Sequence, residues 1–425
     1  MTGKTTNRVG VVGLGYVGLP LALAMTDAGY DVIGVDIDSD RVEALIQRES
    51  YVNDVNDEAL SGALKNGFEP TTEYASLEAV DAVSICVPTP MRKSGTPNLS
   101  YVASAVEELA DVVPEGCTVI LESTVYPGAT EEFVAETLTE NGLTVGENIF
   151  VAFSPERIDP GNKQYGPTDI PKVLGGVTAA CGDHAEALYE PVFDEIVRVD
   201  SATEAELVKL LENTFRAVNI GLINELAQIA NHLGVNIWTA IDAAATKPFG
   251  YMPFYPGPGL GGHCIPVDPM LLSWQANQQG VETRFIDLAD QINREMPDHV
   301  VQRVVKLLND RGLALANAEI LVLGVAYKPD VSDTRESPAI DIIEYLTDWE
   351  ASVSYHDPYV SELAVPDGRY ESVGLTPQRL ADADCVLIVT DHSDFDIDEI
   401  VDHASLVFDT RNATSGYEDD HVVRL

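Results

Sequence analysis

The sequence predicts an α/β protein of two Rossmann-like, doubly wound parallel sheets joined by a central helical domain. Three observations predict it. Short apolar runs alternate with helical stretches at both ends of the chain, long helical segments fill the middle, and a Gly-x-Gly-x-x-Gly turn closes the first strand. A chain of 425 residues also exceeds one ordinary core, since domains average ~100–200 residues.

Taken in order, residues 8–13 (RVGVVG) form an apolar run that breaks into glycines, and residues 19–28 continue with helical composition. Further strands are expected at residues 31–36, 82–87, 118–121 and 149–154. From residue 202 to about 296 the texture is helical, opening with residues 203–233, which contain no proline and one glycine. Strand-helix alternation returns with ILVLG (320–324), SVSYHD (352–357), CVLIVT (385–390) and LVFDT (406–410). The expected domains are therefore 1–201, 202–300 and 301–425.

Composition narrows the function classes. Apolar residues make up 45% and charged residues 22%, which excludes global disorder. The chain carries 69 acidic and 25 basic residues, a net charge of −44. Such a surface repels phosphate backbones and anionic lipid, so neither nucleic acid nor membrane is an expected partner. The self-repulsion fits a salt-rich cytosol, because at ~1 M salt the Debye length falls to ~3 Å. Five widely spaced cysteines fit reduced thiols, residues 1–8 have no signal-peptide character, and no apolar stretch approaches the ~18 residues of a spanning helix. A cytoplasmic location is expected.

Three motifs carry chemistry. In Gly13-Leu14-Gly15-Tyr16-Val17-Gly18 the first glycine permits a tight turn, the second admits a pyrophosphate, and the third lets helix pack on strand. Asp36, at the end of the second strand, can accept from both ribose hydroxyls. Its charge, with Asp38 beside it, favours NAD over NADP despite Arg41. In the second motif, Gly257 to Asp268, a thiol follows a run of glycines, which marks Cys264 as a nucleophile; Cys86 and Cys385 read as core residues, and Cys117 and Cys181 as non-functional. His263, Cys264 and Asp268 lack zinc-ligand spacing, so no metal is expected, and His263 is a poor candidate base. Third, Lys209 and Asn213 share a helix face, with Asn224 about 60° round from Lys209. A narrow polar stripe on an apolar helix suggests a site rather than a solvated face.

These residues, with Val87-Pro88-Thr89-Pro90, Ser123-Thr124-Val125-Tyr126-Pro127-Gly128, and Ala326-Tyr327-Lys328 followed by Asp333, Arg335, Ser337 and Pro338, make the chain resemble the UDP-glucose/GDP-mannose dehydrogenase family over nearly its whole length. The resemblance implies an NAD-binding domain, a central helical dimerisation domain giving a homodimer, and a C-terminal domain that binds the UDP-sugar. It also implies NAD-dependent oxidation of a sugar's C6 hydroxyl to a carboxylate, with two NAD per sugar. The segments beginning Ser154-Pro155-Glu156-Arg157-Ile158 and Ile170-Pro171-Lys172 resemble the branch acting on UDP-N-acetylhexosamines, and Arg157, Ile158 and Val267 depart from the UDP-glucose pattern. UDP-N-acetylglucosamine is favoured, with UDP-N-acetylmannosamine or UDP-glucose as alternatives.

By the same resemblance, Cys264 forms a thiohemiacetal and then a thioester, and Lys209 and Asn213 stabilise the oxyanion. Asp268 helps position or activate water, and Glu156 and Thr124 serve hydrolysis. Cofactor contacts are expected at Gly13, Gly15, Tyr16, Val17, Gly18, Asp36, Arg41, Thr89, Thr124 and Arg335. Substrate contacts are expected at Arg157, Ile158, Lys209, Asn213, Arg216, Gly261, Tyr327 and Lys328. Two rivals remain. A β-hydroxyacid-type dehydrogenase would need no cysteine and one NAD, and a non-catalytic nucleotide-sugar sensor would have no reason to keep the cysteine, lysine and aspartate together.

Overall fold

A computed structural model describes residues 7–425 except 53, 93, 141, 158–165, 167 and 367. The chain forms two compact units. The first runs to Glu212 and includes Trp274–Val281; the second comprises Asn213–Ser273 and Glu282–Leu425. The helical stretch expected as a middle domain is thus divided, with the long helix Ala202–Leu233 passing from the first unit into the second.

In the first unit the strands are β1 (Arg8–Val12), β2 (Asp31–Val35), β3 (Phe68–Thr71), β4 (Ala82–Ile85), β5 (Thr118–Leu121), β6 (Phe150–Phe153), β7 (Lys172–Gly176) and β8 (Ile196–Arg198). They lie in the order β3-β2-β1-β4-β5-β6-β7-β8. The order reverses between β1 and β4, which pair in parallel with Val12 opposite Ile85. A crevice for ligands opens at the carboxyl ends of the strands at such a point. All pairings are parallel except β6 with β7, an exception the sequence pattern did not predict. The strands are buried on both faces: Val12, Val35, Ile85 and Leu121 pack to one side, Val11, Val32, Ala82 and Ile120 to the other.

In the second unit, β9 (Glu319–Leu323), β10 (Ser352–His356), β13 (Cys385–Ile388), β14 (Val407–Asp409) and β15 (Val422–Arg424) form a parallel sheet in the order β10-β9-β13-β14-β15. A separate antiparallel pair joins β11 (Glu362–Val365) and β12 (Gly368–Glu371). Here too apolar residues alternate, with Ile320 and Val322 on one face and Leu321 and Leu323 on the other. The order reverses between β9 and β13, so the loop after β9 carries Tyr327 and Lys328 to the switch point of this sheet. The two doubly wound sheets agree with the fold read from the sequence.

Candidate active site

In the first unit the glycine turn has the shape a dinucleotide needs. Gly13 has φ +89°, and a Cβ there would meet the Cys86 carbonyl at 2.7 Å. At Gly18 a Cβ would collide with the Gly13 carbonyl, so only glycine lets the helix Gly18–Asp27 start this close to β1. A Cβ on Gly15, by contrast, would meet nothing within 4 Å. That helix has no side-chain cap at Val17 and no acidic residue in its first turn, which leaves its amide end suited to phosphate. Tyr16 is exposed, and Thr89 is half-buried beyond β4.

Asp36 is buried and fixed by two amides, with the N–H of Leu14 donating to Oδ2 (2.9 Å) and that of Asp38 to Oδ1 (3.0 Å). Arg41 lies 3.5 Å from Asp36 and 3.5 Å from Asp38. Its charge is therefore already answered by two carboxylates, which supports the preference for NAD.

Glu156 and Lys209 also belong to this unit. The Nζ of Lys209, largely buried, donates to the backbone carbonyl of Glu156 at 2.5 Å. Thr124 is half-buried on the loop after β5. The turn that follows is held by Glu206, whose carboxylate accepts from the Gly128 N–H (2.5 Å) and from the N–H (2.8 Å) and hydroxyl (2.6 Å) of Thr130. Burial pushes its carboxyl up to about 7. Arg157 is engaged by Glu212, its Nη2 at 2.6 Å from Oε1, and it donates to the Pro171 carbonyl at 2.8 Å. The anion it meets here is a side chain of its own unit. Ile158 lies outside the described residues.

In the second unit Cys264 is exposed, whereas the other four cysteines are buried. Burial raises the thiols of Cys117 and Cys385 to about 12, which keeps them protonated. The carbonyl of Cys264 accepts from the Asp268 N–H (2.8 Å), closing the turn that starts the helix Asp268–Gln278. Asp268 is buried, and its Oδ2 accepts from Asn213 Nδ2 at 2.5 Å. A carboxylate in the first turn of a helix is favoured by the helix dipole.

The glycine run has a second purpose. Asn224, read from the sequence as part of the polar stripe, is fully buried; it accepts from the Gly257 N–H (3.0 Å) and donates to Asn293 Oδ1 (2.9 Å). It anchors the start of the cysteine loop. Gly262 (φ +84°) faces the ring of Tyr327, which a Cβ would meet at 2.8 Å, and Gly261 is equally close to the Tyr327 Cβ. The glycines thus admit a protein side chain as well as expose a thiol.

Lys328 Nζ lies 5.9 Å from the centre of the Tyr327 ring, and Arg216 is exposed. Arg335 pairs with Asp333, Nε donating to Oδ1 at 2.9 Å, and donates through Nη1 to His263 Nε2 at 2.6 Å. Partial burial and this guanidinium lower the His263 imidazole, which is therefore the neutral acceptor. The loop that carries Tyr327 and Lys328 rests on Asp357, which accepts from the amides of Val325 (2.7 Å) and Ala326 (3.1 Å) and from His392 Nε2 (3.0 Å). Burial opposes the Asp357 charge, but these bonds hold its carboxyl below the usual range. Asp357 follows β10 as Asp36 follows β2, but its Oδ2 accepts from three protein donors where each Asp36 oxygen accepts from one amide.

Comparison with known proteins identifies the family. The chain matches the family models for the NAD binding domain (residues 7–193), the central domain (203–295) and the UDP binding domain (321–416) of the UDP-glucose/GDP-mannose dehydrogenase family. The chain belongs to this family. As a UDP-glucose/GDP-mannose dehydrogenase family member it is an NAD-dependent UDP-sugar dehydrogenase. It is 36% identical over 397 residues to a UDP-N-acetyl-D-mannosamine dehydrogenase of Methanococcus aeolicus, covering 92% of this chain and 86% of the relative. It is also 36% identical over 391 residues to a UDP-N-acetyl-D-glucosamine 6-dehydrogenase of Pseudomonas aeruginosa, covering 91% of each. The solved structure of a UDP-D-ManNAc dehydrogenase from Pyrococcus horikoshii superposes with a TM-score of 0.90 at 33% identity, covering 98% of each chain.

Sequence reasoning missed a buried polar group in the first unit: Glu122, Lys172, Tyr189 and Ser84. Its one visible signal was Lys172 itself, a lysine opening an apolar run in a chain with only 25 basic residues.

Proposed function

We propose that the protein oxidises the C6 hydroxyl of a UDP-N-acetylhexosamine to the uronic acid, reducing two NAD and consuming one water per sugar. NAD, when bound, accepts a hydride in each oxidation. The glycine turn and Asp36 hold and orient that cofactor, the first for its pyrophosphate and the second for its ribose. The Cys264 sulfur adds to the aldehyde carbon as a thiohemiacetal, so the half-oxidised sugar stays attached until its second oxidation to a thioester. Water then attacks the acyl carbon, the carbon–sulfur bond breaks, and the thiol is restored. Lys209 and Asn213 stabilise the oxyanion, Asn213 also fixes the Asp268 carboxylate, and Glu156, with Thr124, serves hydrolysis.

The observation that carries this reading is the exposed Cys264, whose carbonyl accepts from the amide of a buried Asp268 locked by Asn213. Counting NADH released per UDP-N-acetylhexosamine consumed tests it: two for the native chain and no complete turnover for Cys264→Ala. One NADH per sugar, or full turnover by the variant, contradicts it. Within this class the departures at Arg157, Ile158 and Val267 count against UDP-glucose, and the sequence favours the gluco sugar. The Methanococcus and Pyrococcus relatives favour the manno sugar as a second reading. Turnover of both sugars side by side decides between them.

The same proposal includes a homodimer in a salt-rich cytosol. Phe215, Leu222, Leu226, Ile229 and Leu233 are exposed at helical spacings along one helix, as are Phe285 and Leu288 on the helix Arg284–Asp310. No helix among the described residues is long and apolar enough to cross a membrane. Sedimentation at molar KCl checks the dimer.

A further inference from the structure

Behind Glu156 the first unit buries a set of charges that the proposed reaction does not use. Lys172, the first residue of β7, is almost wholly buried, and its Nζ donates to Glu122 Oε2 at 2.6 Å. Glu122 Oε1 accepts from the Tyr189 hydroxyl, which lies 2.9 Å from Ser84 Oγ. The rings of Tyr189 and Phe193 flank the ammonium, their centres 5.5 and 5.1 Å away. Both oxygens of Glu122 are thus engaged. The second carboxylate near Lys172 is that of Glu156, with Oε2 at 3.8 Å.

A buried ion pair is weak evidence of stabilisation, since apolar residues of the same volume serve a core at least as well. This one points instead to the reactive end of the sheet. The carbonyl of Glu156 accepts from Lys209, its Oε1 accepts from the Arg157 N–H at 2.6 Å, and its Oε2 faces the charge of Lys172.

We propose that Lys172, anchored by Glu122, is a positioning residue that orients the Glu156 carboxylate for hydrolysis of the thioester. This rests on the reading given above. In the step concerned, the water oxygen bonds to the acyl carbon, its proton passes to Glu156, and the Cys264 sulfur leaves with the electron pair of the broken carbon–sulfur bond. Burial works against the charge of Lys172, but Glu122 and Glu156 more than offset it and keep it cationic. The other titratable groups facing this set are Cys86 and Tyr189, both pushed up by burial and therefore neutral. Lys209 faces the Glu156 carbonyl rather than its carboxylate.

The test uses the full chain at molar KCl with NAD and the better UDP-N-acetylhexosamine. It follows the initial burst of NADH and the decay of the acyl adduct on Cys264. The variant Glu122→Gln/Lys172→Met keeps the core neutral. It is expected to give the burst at the native rate and to lose the adduct about 10 to 100 times more slowly. Glu122→Gln alone removes the anchor of the ammonium, and it too is expected to keep the burst and slow the decay. This second variant decides the matter if the first does not fold. Adduct decay at the native rate in Glu122→Gln, or a parallel loss of burst and decay in the double variant, overturns the inference. If the native chain forms no adduct, the reading beneath it fails instead, so the two failures are distinct.

Discussion

Glu206 offers a pH prediction with a definite sign. Its carboxyl is raised to about 7 by burial, against about 4.3 for an exposed glutamate. A carboxyl raised by folding contributes stability that is fully present below the unfolded value and lost as pH climbs through the folded one. At 1.36 kcal/mol per unit, that contribution falls by about 3 kcal/mol between pH 4 and pH 8. Glu206→Gln imitates the protonated form at every pH. One of its atoms turns from acceptor to donor opposite the Gly128 or Thr130 amide, as the protonated acid also does. The variant should therefore match the native chain near pH 5 and exceed it by about 2 to 3 kcal/mol near pH 8. Urea unfolding of both proteins from pH 5 to 8 at fixed KCl measures the difference and cancels every other titrating group. Molar salt should not abolish it, because the group is buried. A difference independent of pH, or a native chain that gains on the variant as pH rises, refutes the reasoning.

Three further outcomes follow from the geometry. Asn224→Ala strands the Gly257 amide and one Asn293 oxygen in a buried site, which should cost about 2 to 4 kcal/mol in urea unfolding and lower kcat by loosening the cysteine loop. Asp36→Asn keeps an acceptor for the Leu14 amide but removes the charge from the ribose site and from Arg41; KM for NAD should rise about tenfold and activity with NADP should appear. With a net charge of −44, the melting temperature should climb as KCl goes from 0.1 M to ~1 M, where the Debye length shrinks from ~10 to ~3 Å, and thermal scans in KCl check it.

Much of the fold was legible because both sheets are buried on their two faces. Strands such as β1, β5, β9 and β13 read as continuous apolar runs, and their ends agree with the structure to within about two residues. β3 contains Pro70, and β8 and β15 have three residues each, so their place depends on neighbours rather than on pattern. The reversed direction of β7 has no local signature at all, since side-chain alternation is the same in either direction. In the candidate site, residue type and spacing singled out Cys264, Asp36, Lys209 and Asn213. Spacing also picked out Asn224, but only the fold shows that its amide holds backbone instead of ligand. The Glu122–Lys172 contact joins residues 50 apart and could not be read from either one.

The central claim is that the sugar remains on one sulfur between its two oxidations. It is tested most directly by quenching the enzyme in acid during steady-state turnover and measuring the mass of the peptide bearing Cys264. A hydroxylamine-labile adduct of the oxidised UDP-sugar on Cys264 is the expected result. An unmodified peptide, at a time when two NADH per sugar are being formed, would contradict it.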